Sequence, residues 1–248
     1  MATPQQKEPS YPANLNNLIV ILGAGEMGSA CAYRLHEAGY PVVLTELELP
    51  TMLRTVVSYG AAVQYHAAIV EGVRTRRVPA DQVRECLADG TIPILIDPNG
   101  EAARTLNPRA VIDARGIGGD HQLADAPLLI GIGEGFTAGV NCHAAIEIAT
   151  PADARLILHA PADGVVRQIK CVGQWVSEGE EIAVIGGVSL IAPLAGRLRG
   201  LIDDDTIVRQ GMNAAEITPQ LPRWQCHLWS DEALDISGRV LETVARAI

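Results

Sequence analysis

Residues 18–48 read LIVILGAGEMGSACAYRLHEAGYPVVLTELE, and this stretch constrains the fold more than any other. Five consecutive apolar residues (18–22) make a strand covered on both faces, because no polar alternation leaves it a wet side. Gly23, Gly25 and Gly28 follow with G-x-G-x-x-G spacing. Met27, Ala30, Cys31, Arg34 and Leu35 then recur at helical spacing, and Gly39 supplies a stop. A second strand, PVVLTE, occupies 41–46. Strand, helix and strand within about thirty residues call for a right-handed crossover in a parallel sheet.

The pattern continues downstream. Helices are expected at 51–60 and 79–90, an irregular strand at 68–78, and buried strands at 92–97, 110–114 and 128–133. Alternation of this kind predicts an α/β, Rossmann-like, open and mostly parallel sheet over residues 18–150. Residues 1–17 are polar and proline-rich, lack the apolar core of a signal peptide, and are expected to form a disordered tail.

From Ala160 the character changes to short strands and glycine turns with an internal repeat. Ala160, Pro161, Gly164, Val176 and Gly179 recur as Ala192, Pro193, Gly196, Val208 and Gly211. Two such copies describe the halves of a small sandwich, so residues 151–218 are expected to form an all-β barrel-sandwich hybrid domain similar to biotinyl and lipoyl carriers. Those carriers display a lysine between their halves. Here the connection is IGGVSL, and the chain's lysines are Lys7 and Lys170. No covalent biotin or lipoate is expected. Residues 219–248 complete the chain as a C-terminal segment, in which Leu241, Val244, Ala245 and Ile248 share one face of a helix that packs on the body.

The glycine loop carries the clearest chemistry. Its glycines permit a tight turn, close approach of backbone to a pyrophosphate, and close packing of helix on strand. The first helical turn, with Glu26 and Met27, offers free N–H groups to phosphate. Glu46, at the end of the second strand, is placed to accept from an adenosine ribose and to repel a 2′-phosphate, which favours NAD over NADP. The expected cofactor-binding set is Gly23, Gly25, Glu26, Met27, Gly28 and Glu46. Gly133, Gly135 and Thr137 join it from a second glycine-rich turn in LLIGIGEGFTAG, which is either an anion site or a plain connection. Asp113 and Arg115 address a ligand or pair with each other. HAAIEI (143–148) reads as helix or as strand, with His143 more structural than catalytic. No catalytic residue is assigned: His121, His143 and Asp113 are candidates by location alone.

Composition narrows the classes. With 29 acidic against 19 basic residues and a net charge of -10, the chain lacks the basic face of a nucleic-acid binder. No apolar run reaches membrane-spanning length. Five scattered cysteines without a C-x-x-C pair suit the reduced thiols of a cytoplasmic protein and suggest no metal site.

The order of GAGEMGSACAYRLHEAGYPVVLTELELP, IPILIDPNGEA, AVIDAR, DAPLLIGIGEGFTAG, HAAIE, HAPADG and SDEALDISGRVLE resembles YqeB-like proteins from residue 18 to the end. The resemblance implies a selenium-dependent molybdenum hydroxylase accessory protein, one that matures the enzyme or its molybdopterin cofactor. The family's first loop usually reads like GAGDLATG, and its members carry a longer insert after HA-x-x-E; this chain departs at both places. Three functions are weighed. The first is an accessory protein for a molybdenum hydroxylase client, binding NAD or a molybdopterin dinucleotide. The second is an NAD-dependent oxidoreductase acting on a small molecule, and the third a non-catalytic nucleotide-binding scaffold.

Overall fold

The computed structural model describes residues 15–117, 121, 126–148 and 155–248. The expected N-terminal tail, up to residue 14, and the expected domain boundary at 150/151 lie outside the described residues.

An eight-stranded sheet organises the first part. Its strands are β1 (Ile19–Leu22), β2 (Val42–Glu46), β3 (Ala67–Val70), β4 (Val73–Arg77), β5 (Ile92–Ile96), β6 (Ala110–Ile117), β7 (Leu128–Glu134) and β8 (Ala144–Ile146), in the order β3-β4-β5-β2-β1-β6-β7-β8. The helices between them are α1 (Glu26–Glu37), α2 (Ala61–Tyr65), α3 (Val83–Ala88) and α4 (Ala102–Thr105), and α5 (Asp231–Ala247) returns from the C-terminus. β1 is apolar throughout, and β2 and β6 are apolar up to their carboxyl ends, because both faces are covered. Ile19 and Ile21 of β1 face a core shared with α1, α2 and α5. Val20 and Leu22 face the opposite core, filled by Val83, Cys86 and Leu87 of α3 and by Ala102 and Ala103 of α4.

The second part holds β9 (Leu156–His159), β10 (Gly164–Gln168), β11 (Trp175–Val176), β12 (Glu181–Ile185), β13 (Val188–Ile191), β14 (Gly196–Leu201), β15 (Ile207–Val208) and β16 (Asn213–Thr218). They form two four-stranded antiparallel sheets, β13-β12-β10-β15 and β11-β14-β16-β9, around one core. The sequence repeat appears directly, since β10, β11 and β12 each begin 32 residues before β14, β15 and β16. The halves exchange strands: β10 pairs with β15, and β11 with β14. Gly186 and Gly187 turn the β12–β13 hairpin with φ of 59° and 85°, the mirror-image turn that suits strand twist.

The fold expectation is corrected on both counts. The large sheet is mixed, not a Rossmann-like open parallel sheet, because β3 runs antiparallel to β4 at its edge. Glu71 and Gly72, with φ of 50° and 80°, reverse the chain there in two residues. A parallel partner would need a crossover of a dozen or more. The later segment is corrected from a barrel-sandwich hybrid to two four-stranded antiparallel sheets, with β9 and β13 added to the repeated strands. The helix expected at 51–60 is a 3-10 turn at Thr55–Val57, with α2 starting only at Ala61. Tertiary hydrogen bonding overrides local preference, as the Leu53 carbonyl accepts from Leu201 N–H at 2.8 Å and ties this loop to β14.

The C-terminal segment fastens the two parts together. After a 3-10 turn at Arg223–His227, Ser230 caps α5 by accepting from Ala233 N–H at 3.2 Å, and Asp231 and Glu232 complement the helix dipole. Its buried face is Ala233, Ile236, Val240 and Val244, in the core shared with α1; of the expected set Leu241, Val244, Ala245 and Ile248, Val244 is buried, Leu241 and Ile248 are partly so, and Ala245 is exposed. Among the described residues, no helix is long and apolar enough to cross a membrane.

Candidate functional site

The glycine loop leaves β1 at the point where the chain's path through the sheet reverses: β2 lies on one side of β1 and β6 on the other. Loops diverge there and leave a crevice at the strands' carboxyl ends. A cleft of about 310 Å³ occupies this crevice. Gly23, Gly25, Glu46, Met52, Asp97 and Arg115 are among its walls, contributed by the ends of β1, β2, β5 and β6 and by the 51–54 loop.

The loop is shaped by contacts that leave no room for side chains. Gly23 has φ of +90°, and its N–H donates to Thr45 O at 3.0 Å. A Cβ on Gly28 would lie 1.9 Å from the Gly23 carbonyl oxygen. Ala24 O accepts from Ser29 Oγ at 3.0 Å and from Gly60 N–H at 2.9 Å, so the loop is pinned from behind. Gly25 differs: a Cβ there would meet nothing closer than Met52 Cβ at 3.9 Å. It is the N-cap of α1 with no side-chain cap, so the helix presents backbone donors beside the cleft.

Two charged groups flank this surface. Glu46 is held rigidly, its Oε2 accepting from Ala24 N–H and its Oε1 from Leu47 N–H, both at 2.8 Å. Each carboxylate oxygen keeps further acceptor capacity. Opposite stands Arg115, aimed by a register shift between Asp113 and Gly116, where β6 bulges against β7. Asp113 is fully buried and forked by Arg115, from Nε to Oδ1 at 2.9 Å and from Nη2 to Oδ2 at 2.5 Å. His121 Nε2 lies 2.7 Å from Asp113 Oδ2. Burial alone would raise the Asp113 pKa, but hydrogen bonds from His121 and Arg115 and the guanidinium charge outweigh it and hold the carboxyl below its ordinary value. The same hydrogen bond raises Arg115.

The expected site residues do not all converge. Gly23, Gly25 and Glu46 line the cleft, and Gly28 shapes the loop behind it. Glu26 serves elsewhere, pairing with buried Arg54 and accepting from Ser230 N–H at 2.7 Å. Met27 packs on the core. The second glycine turn is absent from the cleft's walls. There Gly131 makes room for the Phe136 ring and Gly133 abuts the Gly116 backbone. The turn closes on itself instead, Asn141 accepting from Thr137 N–H at 2.7 Å and donating to the Gly135 carbonyl at 2.8 Å. HAAIEI contains the strand β8, and His143 Nδ1 accepts from Leu129 N–H at 3.0 Å, a structural role. Asp97 was not singled out from sequence; it caps the chain into α4 through Glu101 and Ala102 N–H. Its signal is an acid ending a buried strand before Pro-Asn-Gly.

No protein-family model matches the chain. It is 34% identical over 266 aligned residues to "Uncharacterized protein YqeB" of Escherichia coli K12, an alignment covering 96% of this chain and 49% of that protein. The chain thus spans about half the length of the curated relative it matches. Among solved structures it is similar to a succinylglutamate desuccinylase from a Silicibacter species, with 11% identity, 82% of this chain and 85% of that chain covered, and a TM-score of 0.28. For the ectoine utilization protein EutE (DoeB) of Ruegeria pomeroyi with product bound, the values are 12%, 83%, 86% and 0.29. For TcdA (CsdL) they are 12%, 94%, 90% and 0.31. Likeness at these scores carries no inference about fold or activity. The sequence similarity, by contrast, supports a YqeB-like family for this chain.

Proposed function

We propose that the cleft at the glycine loop binds the diphosphate of a nucleotide or dinucleotide, and that the protein is an accessory factor in maturing a molybdenum hydroxylase, handling a nucleotide form of its cofactor. One observation carries the binding half of this reading. The loop is packed so tightly that Gly28 tolerates no side chain, yet Gly25 opens on the cleft with an uncapped helix start behind it. Backbone donors would hold the phosphates, and Glu46 would accept from ribose hydroxyls with an orientation its two backbone bonds already fix. The maturation half, including any involvement of selenium, is supported by the resemblance to YqeB-like proteins.

A second reading, an NAD-dependent oxidoreductase, is favoured by the Asp113–His121 contact beside Arg115, since a carboxylate orients an imidazole for proton transfer. Thermal-shift titration with NAD, NADP, ADP, CTP and cytosine dinucleotides separates the readings. Ligand at one hundred times its dissociation constant should add about 2.7 kcal/mol of stability. A response to cytosine nucleotides, lost in Gly25→Asp, supports cofactor handling. A response to NAD alone, with turnover, supports the oxidoreductase. Silence toward all of them removes the nucleotide reading.

A further inference from the structure

The glycine-loop cleft has a neighbour. Asp97 lines both it and a second cleft of about 660 Å³, whose walls include Glu48, Arg77 and His66. Consecutive residues at the end of β2 and just beyond it, Glu46, Leu47 and Glu48, line one or the other. A nucleoside whose diphosphate sits on the glycine loop and whose ribose meets Glu46 would project its base into this second space. Val78, Leu95 and Leu106 give it apolar walls, suited to the faces of a heterocycle.

Arg77 and His66 also line this cleft. Arg77 Nη1 donates to Val63 O at 2.7 Å, and Nη2 lies 3.0 Å from His66 Nδ1. A guanidinium carries N–H groups only, so it is the donor in this contact. Those two bonds leave Arg77 the rest of its five N–H donors. Carboxylates, Glu48 and Glu101, stand elsewhere along the same cleft.

We infer that this second cleft receives the base of the nucleotide and selects one with a keto acceptor edge, guanine or cytosine, against adenine. Guanine offers O6 and N7 side by side, the pair a guanidinium grips with two parallel bonds. Cytosine offers its keto oxygen beside a ring nitrogen. Adenine sets its N6 amino donor next to N7, so that a donor faces Arg77. The N–H groups of guanine or cytosine then fall to the carboxylates. This inference rests on the diphosphate-binding reading above.

Calorimetric titration of the whole protein with ADP, GDP and CDP tests it, using wild type, Gly25→Asp, Arg77→Met and Arg77→Lys. GDP or CDP should bind roughly tenfold or more tightly than ADP, the discrimination expected of one bidentate pair. Arg77→Met should erase the preference, bringing the ADP, GDP and CDP affinities together. Arg77→Lys, with the charge but not the fork, should lose most of it. Gly25→Asp should weaken all three. If ADP binds wild type as well as the others do, or the preference survives in Arg77→Met, the base assignment fails and the diphosphate reading stands. If wild type binds none of the three, both fall together.

Discussion

Gly28→Ala and Gly238→Ala are the same change at two helix positions, and the structure assigns them opposite signs. Alanine is favoured over glycine by about 1 kcal/mol in a helix interior. At Gly238, in α5, a new Cβ meets nothing within 4 Å, so the full gain of about 0.5–1 kcal/mol should appear. At Gly28 the Cβ would lie 1.9 Å from the Gly23 carbonyl oxygen and 3.5 Å from Ala114 Cβ. The obstructing atom is backbone in a loop already fixed by Thr45, Ser29 and Gly60, so no flexible side chain can yield. Overpacking of this kind costs about 3 kcal/mol at the upper end of its usual range. The net destabilisation is therefore about 2 kcal/mol after the helical gain is set against it. Urea denaturation followed by circular dichroism, with thermal melts alongside, reads both variants. For a chain of this size Gly28→Ala should lower Tm by about 4–8 °C, and Gly238→Ala should raise it by about 1–4 °C. A Gly28→Ala protein as stable as wild type would refute the reasoning, because α1 could not then start against the Gly23 carbonyl.

Glu26→Ala should cost about 3 kcal/mol in the same denaturation assay, because it leaves the buried Arg54 charge without its carboxylate, with backbone carbonyls as its remaining hydrogen-bond partners, and frees Ser230 N–H; a loss under 1 kcal/mol would deny Glu26 its structural role. Asp113 supplies a pH signature. Its folded pKa is depressed below 3.8, so in acid the unfolded chain binds the proton first, and the stabilisation is complete above the ordinary value and lost as pH falls through the folded one. The stability difference between wild type and Asp113→Asn should thus be flat from pH 7 to 5 and shrink toward pH 3. A difference constant down to pH 3 counts against the fork.

Local patterning made much of this protein legible. The apolar run at 18–22, the glycines after it and the alternation into PVVLTE fix β1, α1 and β2, because a strand covered on both faces and a helix with a glycine-bound start leave few options. The 32-residue repeat locates six strands of the second part for the same reason: each copy repeats its own turns and apolar positions. Other features were settled by contacts distant in sequence. The direction of β3 depended on two residues taking positive φ, one of them a glutamate. The segment at 51–54 gave up a helix to bond β14 and the C-terminal strap. Glu26 and Glu46 both flank the glycine loop in sequence as acids near a helix start and a strand end. Only the packing sends Glu26 to Arg54 and keeps Glu46 at the cleft. Nor could spacing show that Arg77, thirty-one residues from Glu46 along the chain, lines a cleft that shares Asp97 with the one Glu46 lines. Periodicity reports which face of an element is dry; which charges meet is decided by how the faces are stacked, and that requires the tertiary structure.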